Sequence, residues 1–273
     1  MPLLHEVRKF QRYLGLESDL LVGYWEQRGC GVAPRQDAKS VSLQKQVDDL
    51  RGVLQWLKNL TRQTVILFGI SLGGTIALQA AAHEPQNVKS VIAISPDANT
   101  ASSDASVYLF LQAQSALAEN RRLIGRVTKL GEPPYTDSAA FQLRARLLGD
   151  LGAIERGKKF SGLLKETLFS MIRTCGLVGT AQALRNMNLT QRELLPQLVQ
   201  LDLFADPPRL AMPVHYIFGE QDPLVPLAIV NQLPAAIACA ESTLVRVPNA
   251  GHMVHFDQPE IVRSVAMKAG NDA

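Results

Sequence analysis

The stretch of residues 64–82, TVILFGISLGGTIALQAAA, constrains this chain more than any other. Residues 64–68 are β-branched and apolar, which is typical of a strand buried on both faces. Residues 72–82 are helix formers with apolar side chains on most sides, which predicts a buried helix. Between them, residues 69–73 read G-I-S-L-G, and a G-x-S-x-G turn with a strand before it and a helix after it predicts a nucleophile elbow. The alternative is a tight β–α turn that contains a serine by chance.

An elbow of this kind lifts the Ser71 hydroxyl clear of the sheet on a strained backbone. The small residues Gly69 and Gly73 are expected to let the strand and the helix approach each other. The backbone N–H of Leu72, at the helix N-terminus, then faces any oxyanion that forms on a substrate. Because a serine hydroxyl is a weak nucleophile at neutral pH, Ser71 needs a general base.

The composition limits the classes of protein to which the chain can belong. With 273 residues, 47% hydrophobic and 19% charged, it has the size of one large α/β domain or of a core with an insertion. A net charge of +3 gives no reason to expect a nucleic-acid or membrane partner, and no apolar run has the length of a transmembrane helix. The three cysteines are far apart, so we expect no metal, no cofactor and no disulfide framework. Isolated cysteines suggest a reducing compartment. Because the sequence also shows no signal-peptide pattern, we predict a cytoplasmic protein.

Strand and helix patterns alternate on either side of a helical segment. Before it we predict a helix at 3–14, a strand at 19–25, a helix at 42–60, the elbow and a strand at 88–94. After it we predict strands at 214–218 and 243–247, with helices at 228–233 and 258–268. Residues 98–208 show only helical patterns, at 105–123, 138–149, 163–172, 180–187 and 190–200. The predicted organisation is therefore a core of residues 1–97 and 209–273 with a helical cap of residues 98–208.

The middle of this helical segment is basic. We interpret its charges as a solvated outer face rather than as an anion site. The residues concerned are Arg121, Arg122, Arg126, Lys129, Arg144, Arg146, Arg156, Lys158 and Lys159.

His252 is the best candidate for the general base among the five histidines. It lies in a loop directly after a predicted strand, and loops at the carboxyl ends of parallel strands line the crevice that also holds Ser71. The other four histidines have less suitable positions: His5 on the polar side of the first helix, His83 at the end of the elbow helix, His215 inside a strand, and His255 in or just before the closing helix.

A general base of this type needs a carboxylate to orient it. Asp222 follows the strand predicted at 214–218, and the chain order Ser71, Asp222, His252 is one of the known orders of a catalytic triad. The simplest alternative is that Asp222 is an ordinary turn residue, since Asp-Pro is common in turns. Asp97, after the preceding strand, is the competing orienter.

Three motifs together, G-I-S-L-G-G, G-E-Q-D-P-L-V-P and N-A-G-H-M-V-H-F-D-Q-P, resemble those of the serine α/β-hydrolases. Residues 27–31 also resemble the D-Q-R-G-x-G-x-S segment of the prolyl-iminopeptidase-like branch. The resemblance covers nearly the whole chain outside the helical segment. It implies an α/β-hydrolase fold, in which a mostly parallel sheet of eight strands carries helices on both faces and an all-helical cap lies between strands six and seven. It also implies hydrolysis through an acyl-enzyme.

Three departures from that branch favour an ester-type acyl substrate over a peptide. Glu26 replaces the family aspartate, Ala33 stands where serine is usual, and Leu72 follows the elbow serine where the peptidases commonly have tryptophan. The elbow serine itself disfavours a dehalogenase or an epoxide hydrolase, which carry aspartate there.

By the same resemblance, this sequence lacks the first three strands of the family's sheet. It also lacks the His-Gly-Gly-Pro-Gly-like loop that supplies the second oxyanion N–H. A buried strand with roughly five apolar side chains is worth about 8–15 kcal/mol, as much as a whole domain's stability of about 5–15 kcal/mol. Either the flanking strands close up and pair, or a partner chain supplies a strand in a homodimer or by strand exchange, or the sequence is an incomplete copy of a longer protein.

We therefore expect a serine hydrolase that cleaves a small ester or amide through an acyl-enzyme, with a small-molecule acyl compound as its partner. Losing one oxyanion donor costs about 2.7–4 kcal/mol, roughly 10²–10³ in rate, which slows such an enzyme without silencing it. Two alternatives stay open: a weak or inactive binding scaffold with the same fold, and a prolyl-iminopeptidase-like aminopeptidase.

Overall fold

A single parallel sheet forms the centre of the molecule. The computed structural model describes residues 14–33 and 37–271, and in them four strands pair in the order β1-β2-β3-β4. The strands are β1 (Val65–Ile70), β2 (Val88–Ile94), β3 (Val214–Gly219) and β4 (Ser242–Val247). Because every pair is parallel, the carboxyl ends of all four strands lie at the same edge of the sheet, and the loops that follow them meet there.

Nine helices accompany these strands in the described part of the chain. They are α1 (Leu43–Thr61), α2 (Leu72–His83), α3 (Thr100–Leu117), α4 (Arg121–Leu130), α5 (Ser138–Asp150), α6 (Phe160–Leu198), α7 (Leu227–Ala236), α8 (Val254–Asp257) and α9 (Pro259–Asn271), with short 3-10 turns at Leu16–Ser18, Ala38–Ser40 and Pro85–Asn87. None of the helices among these residues is both long enough and apolar enough to cross a membrane.

Both faces of the sheet are covered, because successive residues of the central strands point to opposite sides. Val91 and Ala93 of β2 pack in a cluster with α1, α2 and α7, whereas Ile92 and Ile94 pack in a second cluster with α9. The predicted arrangement of a parallel sheet with helices on both faces is confirmed.

Strand β1 is less buried than its sequence predicts. Leu67 and Gly69 are buried, while the other four residues of β1 keep partial exposure. The expectation that this strand is buried on both faces is therefore wrong in part. The physical reason is that β1 pairs only with β2 in the described residues, so it forms one margin of the sheet.

The prediction of a strand at residues 19–25 is wrong. Apart from a turn at its start, this segment has no regular secondary structure, and Leu21 is 95% exposed. A strand forms only where a neighbour satisfies its backbone groups. The family resemblance requires another strand between this segment and β1, and none lies there in the described residues. The helix predicted at residues 3–14 falls, but for its last residue, outside the described part of the chain.

The chain between β2 and β3 is helical, as predicted. Beyond helices α3 to α6, the only strand-like pairing described there is an isolated bridge between Asn99 and Asp202. The single helical pattern predicted at 105–123 is two helices, because Asn120 caps a new one by accepting the N–H groups of Arg122 and Leu123. The last three predicted patterns all belong to α6, which breaks at Gly176 with φ of 68° and ψ of −177°.

The second half of α6 is fastened to the loop of residues 29–33. Thr190 Oγ1 donates to the carbonyl oxygen of Gly29 at 2.5 Å, and Asn186 Nδ2 donates to that of Gly31 at 3.0 Å. Gln182 Nε2 donates to the carbonyl of Ala33 at 2.9 Å. These contacts attach the second half of α6 to the irregular segment that precedes α1.

Candidate active site

Ser71 occupies a strained turn between β1 and α2. Its φ of 54° lies in the left-handed region that favours glycine, and its ψ is −128°. The Ser71 N–H donates to the carbonyl oxygen of Ile94 at 2.8 Å, and its own carbonyl accepts the N–H of Gly74 at 2.8 Å. The strained strand-to-helix turn that the motif predicts is thus present, with the serine at the carboxyl edge of the sheet.

The glycines around Ser71 have different roles from those expected. A Cβ on Gly69 would overlap the carbonyl of Gly73 and would lie 2.6 Å from the nitrogen of Gly74, so this position excludes any side chain. A Cβ on Gly73 would meet nothing within 4 Å, so the prediction that Gly73 makes room for the strand is wrong. The sequence shows which residues are small, but it does not show which way each Cα faces.

Asp222 and His252 meet at the same edge, as their chain order predicts. Asp222 follows β3, and its Oδ1 accepts the N–H of Leu224 at 2.8 Å. Its Oδ2 lies 2.8 Å from Nδ1 of His252, in the loop after β4, and both side chains are buried. A carboxylate at Nδ1 favours the tautomer that carries its proton there, which leaves Nε2 as the basic nitrogen.

The pKa of His252 is raised above its usual 6.5. Burial favours the neutral imidazole and opposes this shift, but the charge and hydrogen bond of Asp222 and the charge of Asp97 outweigh it. The surroundings of His252 therefore favour its protonated form, the state that a general base reaches after it takes a proton.

Asp97 contacts Ser71 rather than His252. Both carboxylate oxygens of Asp97 lie 3.4 Å from Ser71 Oγ, and its backbone carbonyl accepts the hydroxyl of Thr75 at 2.7 Å. In the described part of the chain, Ser71 Oγ makes these hydrogen bonds and none to His252. Of the two candidate orienters, Asp222 is the one that bonds His252. The contact between Asp97 and Ser71 was not predicted, although Asp97 follows the strand next to β1.

Asp97 is partly buried. Desolvation raises its pKa, against the opposing effects of the charges of His252 and Arg144 and of the Ser71 hydroxyl. No cation forms a salt bridge with Asp97 among the described residues. In the described part of the chain, the site thus contains a carboxylate beside the serine that forms no salt bridge.

Leu72 is the first residue of α2, where a backbone N–H has no partner within the helix. This is the position expected of an oxyanion donor.

The remaining histidines lie at the positions that sequence analysis gave them, except that His5 is outside the described residues. His83 ends α2, and Nδ1 of His215 in β3 lies 2.8 Å from Thr243 Oγ1. His255 lies in α8, where burial, with the charge of His252 adding to it, lowers its pKa to about 3.

Arg144 departs from the interpretation of the basic residues as a solvated face. It is buried, and in α5 it pairs with Asp104 of α3. Since burying an unpaired charge is costly, this pair fixes the two helices relative to each other. No pattern in the sequence distinguishes Arg144 from its exposed neighbours.

Comparison with known proteins places the chain in a family. Residues 25–259 match the family model described as the alpha/beta hydrolase fold. The probable aminopeptidase YbaC of Bacillus subtilis (strain 168) is 23% identical over 267 residues, which cover 95% of this chain and 82% of that protein. Among solved structures, the proline iminopeptidase of Mycobacterium smegmatis is similar with a TM-score of 0.64 at 17% identity, over 96% of this chain and 84% of that one. The proline iminopeptidase-related protein of Thermus thermophilus has a TM-score of 0.60 at 20% identity, over 96% and 82% of the two chains. This chain belongs to the alpha/beta hydrolase fold family.

Proposed function

We propose that the protein is a serine hydrolase that cleaves a small ester or amide through an acyl-enzyme. The observation that carries this proposal is the meeting of three loops at one edge of the sheet. Ser71 follows β1 on a strained turn, Asp222 follows β3, and His252 follows β4 with its Nδ1 2.8 Å from Asp222. Membership in a family of hydrolases supports the same conclusion.

In this mechanism Ser71 Oγ attacks the acyl carbonyl carbon while its proton passes to Nε2 of His252. Asp222 accepts the Nδ1 hydrogen bond and stabilises the imidazolium, and the N–H of Leu72 donates to the oxyanion. The imidazolium then protonates the leaving group, and the acyl group stays on Ser71. His252 next takes a proton from water, which attacks the acyl-enzyme, and the acid product leaves as Ser71 recovers its proton.

The first step requires Ser71 Oγ to exchange its contacts with Asp97 for one with His252. A serine side chain makes such a change by rotation between staggered positions. We expect a bound substrate to bring about this rotation when its carbonyl carbon lies beside Oγ.

A fluorophosphonate probe tests the proposal directly, since it labels an activated serine. We expect labelling of the folded protein at Ser71, its loss in Ser71→Ala, and its retention in Ser102→Ala, which changes an exposed serine of α3. Folded protein that is not labelled would contradict the proposal. That result, together with the absence of an acyl burst on nitrophenyl esters, would favour the inactive binding scaffold.

Asp97 favours aminopeptidase activity as a second candidate. A carboxylate that lies 3.4 Å from the nucleophile and has no cationic partner in the described residues is suited to bind a free amine next to the scissile carbonyl. The similarity to a probable aminopeptidase supports this candidate. An alanyl amide of a fluorescent amine and its N-acetyl form separate the two functions. A strong preference for the free amine, reduced in Asp97→Asn, supports the aminopeptidase, whereas equal rates support the esterase.

A further inference from the structure

We propose that Asp257 is a positioning residue for His252, and that it ties the loop of the general base to the helical segment between β2 and β3. The inference rests on the proposed function, because it takes His252 as the base. Its evidence is separate, and comes from a group of contacts around the backbone of residues 251–253.

The carboxylate of Asp257 joins two segments that are far apart in the chain. Its Oδ2 accepts the N–H of Gly251 at 2.8 Å, immediately before His252. Its Oδ1 accepts the N–H of Arg156 at 2.8 Å, in the turn between α5 and α6. One charged acceptor therefore holds two backbone donors, each in a hydrogen bond of the stronger, charge-assisted kind.

Two further backbone hydrogen bonds join the same segments. The N–H of His252 donates to the carbonyl of Ala153 at 3.1 Å, and the N–H of Met253 donates to that of Ile154 at 2.9 Å. The approach is so close that a Cβ on Gly251 would lie 2.6 Å from the oxygen of Ala153. The backbone of His252 thus rests directly on residues 153–154.

These two residues are part of the apolar core of the helical segment. Ala153 is buried in the cluster that α3, α4 and α5 form, and Ile154 packs against it. The residues that His252 rests on therefore cannot move independently of that core. A shift of the helical segment around a substrate would move the backbone that carries the imidazole.

Only a carboxylate can accept both donors at this position. Asparagine has the same size, but one of its two terminal groups is an NH₂ that would face a backbone N–H. In Asp257→Asn, either the N–H of Gly251 or that of Arg156 loses its acceptor. The side chain of residue 257 then no longer joins the loop after β4 to the turn between α5 and α6. The distance from His252 to Ser71 then varies, and misplacement of a catalytic group by about 1 Å can cost roughly 100-fold in rate.

The test uses three variants of the full chain. Asp257→Asn removes the charged acceptor, and Gly251→Ala disturbs the same contact from the other side through the added Cβ. Glu260→Gln is the matched control, since it removes one negative charge from an exposed residue of the next helix. Two quantities are measured: kcat and KM on a nitrophenyl ester, and the Nδ1 proton resonance of His252 in protein labelled with ¹⁵N-histidine.

We expect both Asp257→Asn and Gly251→Ala to lower kcat about 10- to 100-fold with little change in KM. We also expect both to broaden or shift the His252 resonance, while Glu260→Gln changes neither quantity. If Asp257→Asn lowers only the melting temperature, and kcat and the resonance match those of Glu260→Gln, the proposal is overturned.

The two proposals can fail separately. Should the parent protein hydrolyse no ester and take up no fluorophosphonate, the resonance still reports the position of His252. A resonance that changes in Asp257→Asn but not in Glu260→Gln would then support the positioning role while the proposed function fails.

Discussion

The backbone strain at Ser71 predicts that the serine costs the protein stability. With φ of 54° and ψ of −128°, Ser71 adopts a conformation that only glycine takes without penalty. Ser71→Gly removes the Cβ and with it the strain, whereas Ser71→Ala removes only the hydroxyl. Comparing the two variants isolates the backbone contribution, because neither retains the nucleophile.

The magnitude follows from two opposing terms. A non-glycine residue in such a conformation costs about 1–3 kcal/mol. Part of the stability gained by removing the strain is lost with glycine, because the unfolded chain gains conformational freedom worth about 0.4–1 kcal/mol. We therefore expect Ser71→Gly to be more stable than Ser71→Ala by about 1 kcal/mol, which corresponds to roughly 2–4 °C in Tm for a chain of this size.

Urea and thermal unfolding of the two variants, followed by circular dichroism, measure this difference. Ala113→Gly is the control, because Ala113 is exposed in α3 with ordinary helical backbone; there we expect glycine to be less stable by about 1 kcal/mol. The reasoning is refuted if Ser71→Gly is no more stable than Ser71→Ala while the control loses stability as expected.

Four further predictions concern the triad, Asp97 and the elbow. Asp222→Asn should lower kcat by up to about 10⁴-fold in steady-state ester hydrolysis, because an amide no longer holds the Nδ1 proton of His252; an unchanged kcat would contradict Asp222 as the orienter. Activity should fall as the pH is lowered through a value above 6.5, since a raised pKa keeps His252 protonated, and unable to act as a base, up to a higher pH. Asp97→Asn removes one of the charges that raise this pKa, so the acid limb of the pH–rate profile should move to lower pH; a limb that stays in place or moves upward would show that Asp97 does not act on His252. Gly69→Ala should lose about 1–3 kcal/mol or more in urea unfolding because its Cβ overlaps backbone, whereas Gly73→Ala should not; equal losses would contradict the packing described for the elbow.

The parts of the fold that could be predicted are those with a local cause. The strand at 88–94 is apolar except for Lys89 and Ser90 and follows the turn Pro85–Asn87, and its observed bounds are the predicted ones. Strand formation at 19–25 depends instead on a neighbouring strand, which the local sequence does not encode. The single helix predicted at 105–123 had the correct periodicity, but its division depended on the cap formed by Asn120.

The same distinction applies to the site. The placement of Ser71, Asp222 and His252 at one edge of the sheet could be predicted, because a parallel sheet brings the loops that follow its strands together. Asp97 and Asp257 make contacts across 26 and 101 residues of chain, which no spacing rule provides, so the roles proposed for them could not be predicted.

Gly176 decides the direction of half of α6. Its φ of 68° and ψ of −177° belong to a region essentially restricted to glycine, and a Cβ there would meet no atom within 4 Å. Met171 before the bend and Ala183 after it pack in one buried cluster, so packing supports the angle that the torsions of Gly176 make possible. Any other residue at 176 would be strained, so we expect a single substitution there to change the direction of residues 160–175, in which Leu164 and Phe169 are exposed.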